Sequence, residues 1–241
     1  MVRFYFAIII AMPFIIYYVY KIRFMMRHID KYSPEYRYGV ARNMVKITMR
    51  SARIKTKCFG VENLPKDGGY IMYPNHQGKF DALGIIHVHK DPCSIVMELK
   101  RSKVVLTSEF VDVIGGIRID RENLREQLKS MRTMADRVKN GARFILFPEG
   151  GYNHNGNHLQ EFLPGAFKAA LWSKQPIVPV AVVDSYKAFD YNSLRKITAQ
   201  IHFLKPLPYE EYKDLSTKEI AECVKKRIQE AIDKAVGSAK A

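Results

Sequence analysis

The chain of 241 residues carries 39 Lys and Arg against 24 Asp and Glu, a formal net charge of +15, with 47% hydrophobic and 26% charged residues. This excludes a disordered polyelectrolyte and a collagen-like chain, and the length suits one folded domain with at most an appendage. Cys58, Cys93 and Cys223 are too few and too irregularly spaced for a full disulfide framework or a C-x-x-C zinc site, so a reducing compartment is the simplest reading. The charge calls for an anionic partner, and composition leaves open nucleic acid, an acidic membrane surface and a phosphorylated substrate.

The first element is an apolar run. From Phe4 to Tyr20 there are 17 consecutive apolar, aromatic or Pro residues. As a helix the run is roughly 25 Å long, short of a bilayer core of about 30 Å, so it either spans with help or lies near the interface. Pro13 at its centre is expected to kink it, and Tyr17, Tyr18 and Tyr20 suit the headgroup layer. Lys21, Arg23, Arg27 and Lys31 outweigh Arg3, which puts the chain beyond residue 21 on the cytoplasmic side. A cleaved signal peptide fits poorly, because the basic charge follows the apolar run. A second helix is expected from Ser33 as N-cap and Pro34 at the first helical position to about Arg53. Arg42, Lys46 and Arg50 beside Val40, Met44 and Ile47 give it a basic amphipathic face that fits anionic lipid headgroups or, alternatively, plain solvent.

Short apolar runs of strand length follow at 69–73, 94–97, 117–119, 143–147 and 177–183, separated by helical patterns. In one of these, Leu124, Leu128, Met131 and Val138 keep helical spacing, with Asp120 as the expected cap and Asn140-Gly141 as the stop. The last helix opens on Ser216 and Glu219 in capping-box spacing and ends at Gly237. Strands interleaved with helices imply an α/β fold, a single sheet covered by helices. The expected division is a two-helix membrane-anchoring module over residues 1–54 and an α/β domain over 55–241.

The chemistry begins at Asn75-His76-Gln77-Gly78-Lys79-Phe80-Asp81, a strand-to-helix loop. Five residues apart on a helix, His76 and Asp81 would diverge by about 140°, but in a tight loop they can meet. A carboxylate on one imidazole nitrogen then fixes the tautomer and leaves the other to take a proton from a substrate hydroxyl. These are two members of a nucleophilic triad without the serine, so the substrate supplies the nucleophile. Taken alone, a His-Asp pair is more often structural than chemical.

Three further blocks accompany it: Gly116-Ile117-Arg118-Ile119-Asp120-Arg121, Phe147-Pro148-Glu149-Gly150 and Pro176-Ile177-Val178-Pro179-Val180. In order and spacing the four blocks resemble the glycerophospholipid acyltransferase family, in particular its bacterial 1-acyl-sn-glycerol-3-phosphate acyltransferase branch, over roughly residues 55–210. The resemblance implies a glycerol-3-phosphate acyltransferase-like mixed sheet. It also implies transfer of an acyl group from acyl-CoA or acyl carrier protein to the sn-2 hydroxyl of lysophosphatidic acid, with no cofactor and no metal. It makes His76 the general base and Asp81 its orienting partner. Asn75, Gly116, Arg118, Arg121, Glu149 and Gly150 become substrate-binding positions, with Arg121 nearest the phosphate. A guanidinium suits a phosphate because it offers a planar fork of donors; a surface ion pair at the start of its helix is the lesser alternative for Arg121.

The third block departs from the family pattern: many relatives continue E-G-T-R-S, whereas this chain reads Glu149-Gly150-Gly151-Tyr152-Asn153-His154. The missing arginine must be replaced by Lys79, Lys100, Arg101 or Lys168, or the acceptor's head group differs. Pro179 needs no role beyond that of an edge-strand proline. His154 and His158 stand in a loop, His87 and His89 read as a solvated pair, and neither makes a metal site; the three cysteines read as inert thiols. No nucleic-acid motif accompanies the charge, which leaves anionic membrane lipids as the partner surface. A non-catalytic lipid-binding protein, and acyl transfer to glycerol 3-phosphate or another lysophospholipid, remain the alternatives.

Overall fold

The computed structural model describes residues 2–190 and 193–237. The first helices are α1 (Val2–Arg27) and α2 (Pro34–Ser51). Ser33 caps α2 as expected, its hydroxyl accepting the Tyr36 N–H at 3.2 Å. The helix stops at Ser51, and Arg53 turns into the left-handed region at φ 56°. Strand and helix then alternate through β1 (Ile54–Phe59), β2 (Tyr70–Pro74), α3 (Asp81–Val88), β3 (Ser94–Glu98), α4 (Thr107–Val113) and β4 (Ile117–Ile119). They continue through α5 (Leu124–Lys139), β5 (Arg143–Ile145), α6 (Lys168–Ser173) and β6 (Ile177–Val183). The chain closes with α7 (Lys187–Asp190), β7 (Ile197–Phe203), α8 (Tyr209–Tyr212) and α9 (Thr217–Gly237).

Among the described residues the strands form one seven-stranded sheet in the order β1-β7-β6-β2-β5-β3-β4. All pairs are parallel except β6 with β7. The central strands are buried on both faces, which is why they read as continuous apolar runs. Tyr70 and Met72 join the core beneath α1 to α4, while Ile71 and Tyr73 join the core beneath α5, α6 and α9. The expected mixed α/β sheet covered by helices is therefore present.

Three local expectations are corrected. Asn123, and not Asp120, caps α5, its side chain accepting the Arg125 and Glu126 N–H groups. Pro179 lies inside the sheet: β6 stands between β2 and β7, and its pairing with β7 begins only at Val180, so the missing N–H falls where that ladder has not started. His89 is fully buried; it and the Tyr70 hydroxyl are hydrogen-bonded at 2.6 Å, and its other nitrogen faces the Asp91 carbonyl at 2.8 Å. Burial pushes its pKa down to about 4, so the ring is neutral.

α1 presents Tyr5, Ile9, Ile10, Met12, Phe14, Ile16, Tyr17, Tyr20 and Phe24 to the outside. Its 23-residue stretch Tyr5–Arg27 is long and apolar enough to cross a membrane by length and composition. Both ends are nevertheless tied to the α/β layer. Arg3, almost fully buried, donates to the carbonyls of Lys187, Ala188 and Arg195, and Arg23 pairs with Glu109 on α4 at 2.6 Å. The basic face of α2 is partly engaged as well, since Arg42 donates to the His87 carbonyl at the end of α3 at 3.0 Å.

Candidate active site

The five mutually parallel strands β6, β2, β5, β3 and β4 all deliver their carboxyl ends to one edge of the sheet. Loops leaving that edge carry the chemistry-bearing residues, as expected for a parallel α/β sheet. After β2, Pro74 ends the strand and Asn75 extends the ladder with its side chain. Asn75 donates to the Val182 carbonyl at 3.0 Å and accepts the Val182 N–H at 2.7 Å. Two rungs made by a buried amide thus fix where His76 begins.

His76 and Asp81 meet. Nδ1 of His76 lies 2.7 Å from Oδ2 of Asp81, whose side chain is fully buried, while the imidazole keeps 18% exposure. The same Oδ2 accepts the N–H groups of Gln77 at 2.6 Å and Gly78 at 2.9 Å, so the loop wraps the carboxylate at the start of α3. With Nδ1 committed to Asp81, Nε2 is the nitrogen left with no hydrogen-bond partner among the described residues. Phe147 stacks on the imidazole at 4.2 Å and Tyr152 meets it edge-on at 4.9 Å, fixing the ring plane.

The third block folds against the first. Oε1 of Glu149 accepts the His76 backbone N–H at 3.0 Å and Oε2 accepts Nε2 of Gln160 at 2.6 Å. Burial pushes the Glu149 carboxyl above its ordinary pKa, against the two donors, and the nearby Asp81 carboxylate adds to the rise. Gly150 turns in the left-handed region at φ 71°, and a Cβ there would stand 2.6 Å from Nη2 of Arg121. The guanidinium of Arg121 therefore lies directly over the Gly150 backbone, and it makes no ion pair among the described residues. Arg101 lies over the Tyr152 ring at 5.8 Å and pairs with Glu98 at 3.3 Å.

The remaining expected positions have partners inside the protein. Arg118 reaches Ser102 at 3.1 Å, the Ser108 hydroxyl at 3.3 Å and Asp112 at 2.8 Å, which ties β4 to α4. Gly116 is where β4 passes α4, since a Cβ would come within 2.7 Å of Val111 Cγ1. Of the replacement cations, Lys100 pairs with Glu122 and Lys168 starts α6. His154 and His158 stand in a loop, and among the described residues no three His, Cys, Asp or Glu side chains gather as a metal site. Burial raises Cys58 to about 11 and Cys93 to about 12, so neither is a ready thiolate.

Sequence reasoning missed Phe147 and Tyr152 as walls of the histidine, and Ser185, whose hydroxyl donates to Oδ1 of Asp81. The available signal was position: Ser185 follows β6 at the same sheet edge.

The acyltransferase family model matches residues 55–183, more than half of the chain and every block that lines this site. The chain belongs to the acyltransferase family. Among curated acyltransferases, 1-acyl-sn-glycerol-3-phosphate acyltransferase alpha of Ovis aries is 30% identical over 164 residues, 66% of this chain and 56% of that one. A probable 1-acyl-sn-glycerol-3-phosphate acyltransferase of Mycoplasma genitalium is 26% identical over 170 residues, 68% of this chain and 62% of that one. In both cases the match spans less than two thirds of the relative's own length. Among solved structures, the 1-acyl-sn-glycerophosphate (LPA) acyltransferase PlsC of Thermotoga maritima superposes with a TM-score of 0.79 at 18% identity, over 97% of this chain and 94% of that one. That similarity establishes a shared fold.

Proposed function

We propose that this acyltransferase moves a fatty acyl group from acyl-CoA or acyl carrier protein to the sn-2 hydroxyl of 1-acyl-glycerol-3-phosphate, giving phosphatidic acid. The observation that carries the chemistry is the 2.7 Å contact between His76 Nδ1 and Asp81 Oδ2, with Nε2 left for a substrate proton. The acceptor hydroxyl gives its proton to Nε2 as its oxygen attacks the thioester carbonyl. Asp81 stabilises the imidazolium that forms, the carbon–sulfur bond breaks, and His76 returns the proton to the leaving thiolate. No cofactor takes part in this sequence. The relatives suggest the substrate, since they are 1-acyl-sn-glycerol-3-phosphate acyltransferases, one of them a probable one.

Arg121 is the proposed phosphate ligand, lying over Gly150 with its donors uncommitted to any acid. Arg101, over Tyr152 and so beside His76, is the second cation, standing in for the arginine that the third block lacks. Residues 1–54 are the proposed membrane anchor. Because both ends of α1 are tied to the α/β layer, its apolar face rests in one leaflet, with the catalytic domain on the cytoplasmic side. Acceptor and product keep their chains in the bilayer, which spares about 0.8 kcal/mol per methylene that would otherwise enter water.

The test is acyl transfer to lysophosphatidate in anionic vesicles by the full chain, compared with His76→Ala and with neutral lysolipids and glycerol 3-phosphate as competing acceptors. Loss of a general base is expected to cost roughly a hundredfold or more in kcat. The altered third block, Gly151-Tyr152 in place of Thr-Arg, favours a second reading in which another lysophospholipid is the acceptor. Preferential turnover of such an acceptor would replace lysophosphatidate, and no turnover with any acceptor would leave a non-catalytic lipid-binding protein.

A further inference from the structure

Asp81 is a fully buried carboxylate with two unlike oxygens. Oδ2 is crowded by His76 Nδ1 and the N–H groups of Gln77 and Gly78. Oδ1 has a different partner, the hydroxyl of Ser185, which follows the neighbouring strand β6 at the same sheet edge and is itself only 1% exposed. We propose that Ser185 is a positioning residue for the reaction: its hydroxyl holds Oδ1 so that Oδ2 stays aimed at His76. The inference deepens the proposed acyl transfer and rests on its assignment of His76 as the base.

The hydroxyl proton has two acceptors within reach, Asp81 Oδ1 and, at 3.1 Å, Gln77 Oε1. Gln77 Oε1 already receives the Ser185 backbone N–H at 2.9 Å, and an ionised acceptor makes the stronger bond, so the proton goes to Asp81. The hydroxyl is also held still by its own backbone. Asp184 takes a left-handed turn at φ 62° as β6 ends, and its N–H donates to Asn157 Oδ1 at 2.9 Å. That oxygen also accepts Gln77 Nε2 at 2.8 Å, and Asn157 Nδ2 donates to Asp184 Oδ1 at 3.0 Å. Three loops are thus locked together, and Ser185 is the member that reaches Oδ1, while Gln77 holds Oδ2 through its N–H. Without its hydroxyl, Oδ1 would be a buried oxygen with no donor among the described residues, free to exchange places with Oδ2 by rotation of the carboxyl.

The test uses the full chain in vesicles for kinetics and in detergent for NMR, with Ser185→Ala, Ser185→Cys and Ser185→Thr. Cysteine keeps the volume but is a weak donor, so it carries the experiment if the alanine variant fails to fold; threonine keeps the hydroxyl. For Ala and Cys the expected result is a fall in kcat of about tenfold or more, with KM for both substrates within about twofold, because the defect lies in the base and not in binding. The low-field resonance of the His76 Nδ1 proton should shift in Ala and Cys and return in Thr. An unmoved resonance in Ala and Cys would overturn the inference, as would equal kcat losses in all three variants with the resonance in place, which marks a packing role. If the wild-type protein transfers nothing to lysophosphatidate, the resonance still decides Ser185 and only the acceptor reading falls.

Discussion

Substituting alanine for Gly150 tests whether the third block acts through Arg121. The new Cβ would lie 2.6 Å from Arg121 Nη2 and 2.9 Å from Leu163 Cδ1, both under the closest separation that real contacts tolerate. Backbone does not stand in the way, so the guanidinium, at the end of a flexible side chain, is the group that moves. Holding a non-glycine residue at φ 71° costs in addition about 1–2 kcal/mol. For a chain of 241 residues that corresponds to a fall in melting temperature of roughly 2–8 °C, a modest loss. The functional effect should be larger and of a different kind. A hydrogen bond to a charged group contributes about 1.5–3 kcal/mol, so displacing Arg121 from the acceptor phosphate should raise KM for lysophosphatidate about ten- to a hundredfold. Because His76, Asp81 and Glu149 keep their mutual bonds, kcat at saturation should change little. The assay is steady-state acyl transfer in vesicles with Gly150→Ala, Arg121→Ala and the double variant. If both act at one place, the double variant has the KM of Arg121→Ala alone. An unchanged KM in a folded Gly150→Ala protein, or additive effects in the double variant, would refute the reasoning.

Three further outcomes are expected. His89 is buried neutral with its pKa lowered to about 4, below the ordinary value of about 6.5, so the stability it contributes is complete above that ordinary value and is lost as pH falls toward 4. The loss is on the order of 3 kcal/mol, and His89→Gln should flatten the fall of melting temperature over that window; a parallel fall in both proteins would contradict it. Arg3→Ala should leave the carbonyls of Lys187, Ala188 and Arg195 without their donor, destabilising the fold by about 1–3 kcal/mol and exposing α1 to protease, and an unchanged cleavage rate would show that the helix is held by its other contacts. Arg101→Gln should raise KM for lysophosphatidate while leaving that for a neutral lysolipid in place, and equal changes for both would remove Arg101 from head-group recognition.

Much of the fold was written in local patterns. Runs such as Ile177–Val183 are apolar on both faces because parallel strands are covered on both sides, and that is visible without knowing the neighbours. β1 and β7 escaped notice because they lie at the side of the sheet and alternate: Lys55 and Lys57 interrupt the first, Thr198 and Gln200 the second. Read at period two, Ile197, Ala199, Ile201 and Phe203 do mark the buried face of β7. The N-terminal apolar run was equally plain, but the docking of its ends through Arg3 and Arg23 was not, because their partners lie far along the chain.

By itself, the sequence determined the chemistry that depends on short-range spacing: a histidine and an aspartate in one strand-to-helix loop, close enough to meet once the chain stops being helical. It also determined which residue types stand after each strand, since a parallel sheet sends all those loops to one edge. Only the tertiary structure decided which of them converge. It brought Arg121 over Gly150, turned Glu149 toward the His76 N–H, committed Arg118 to Asp112, and set Ser185 against the second oxygen of Asp81. The physical reason is that such contacts join segments separated by tens of residues. Their geometry comes from strand order and from which way each loop turns, and neither is encoded in the spacing of residues along the chain.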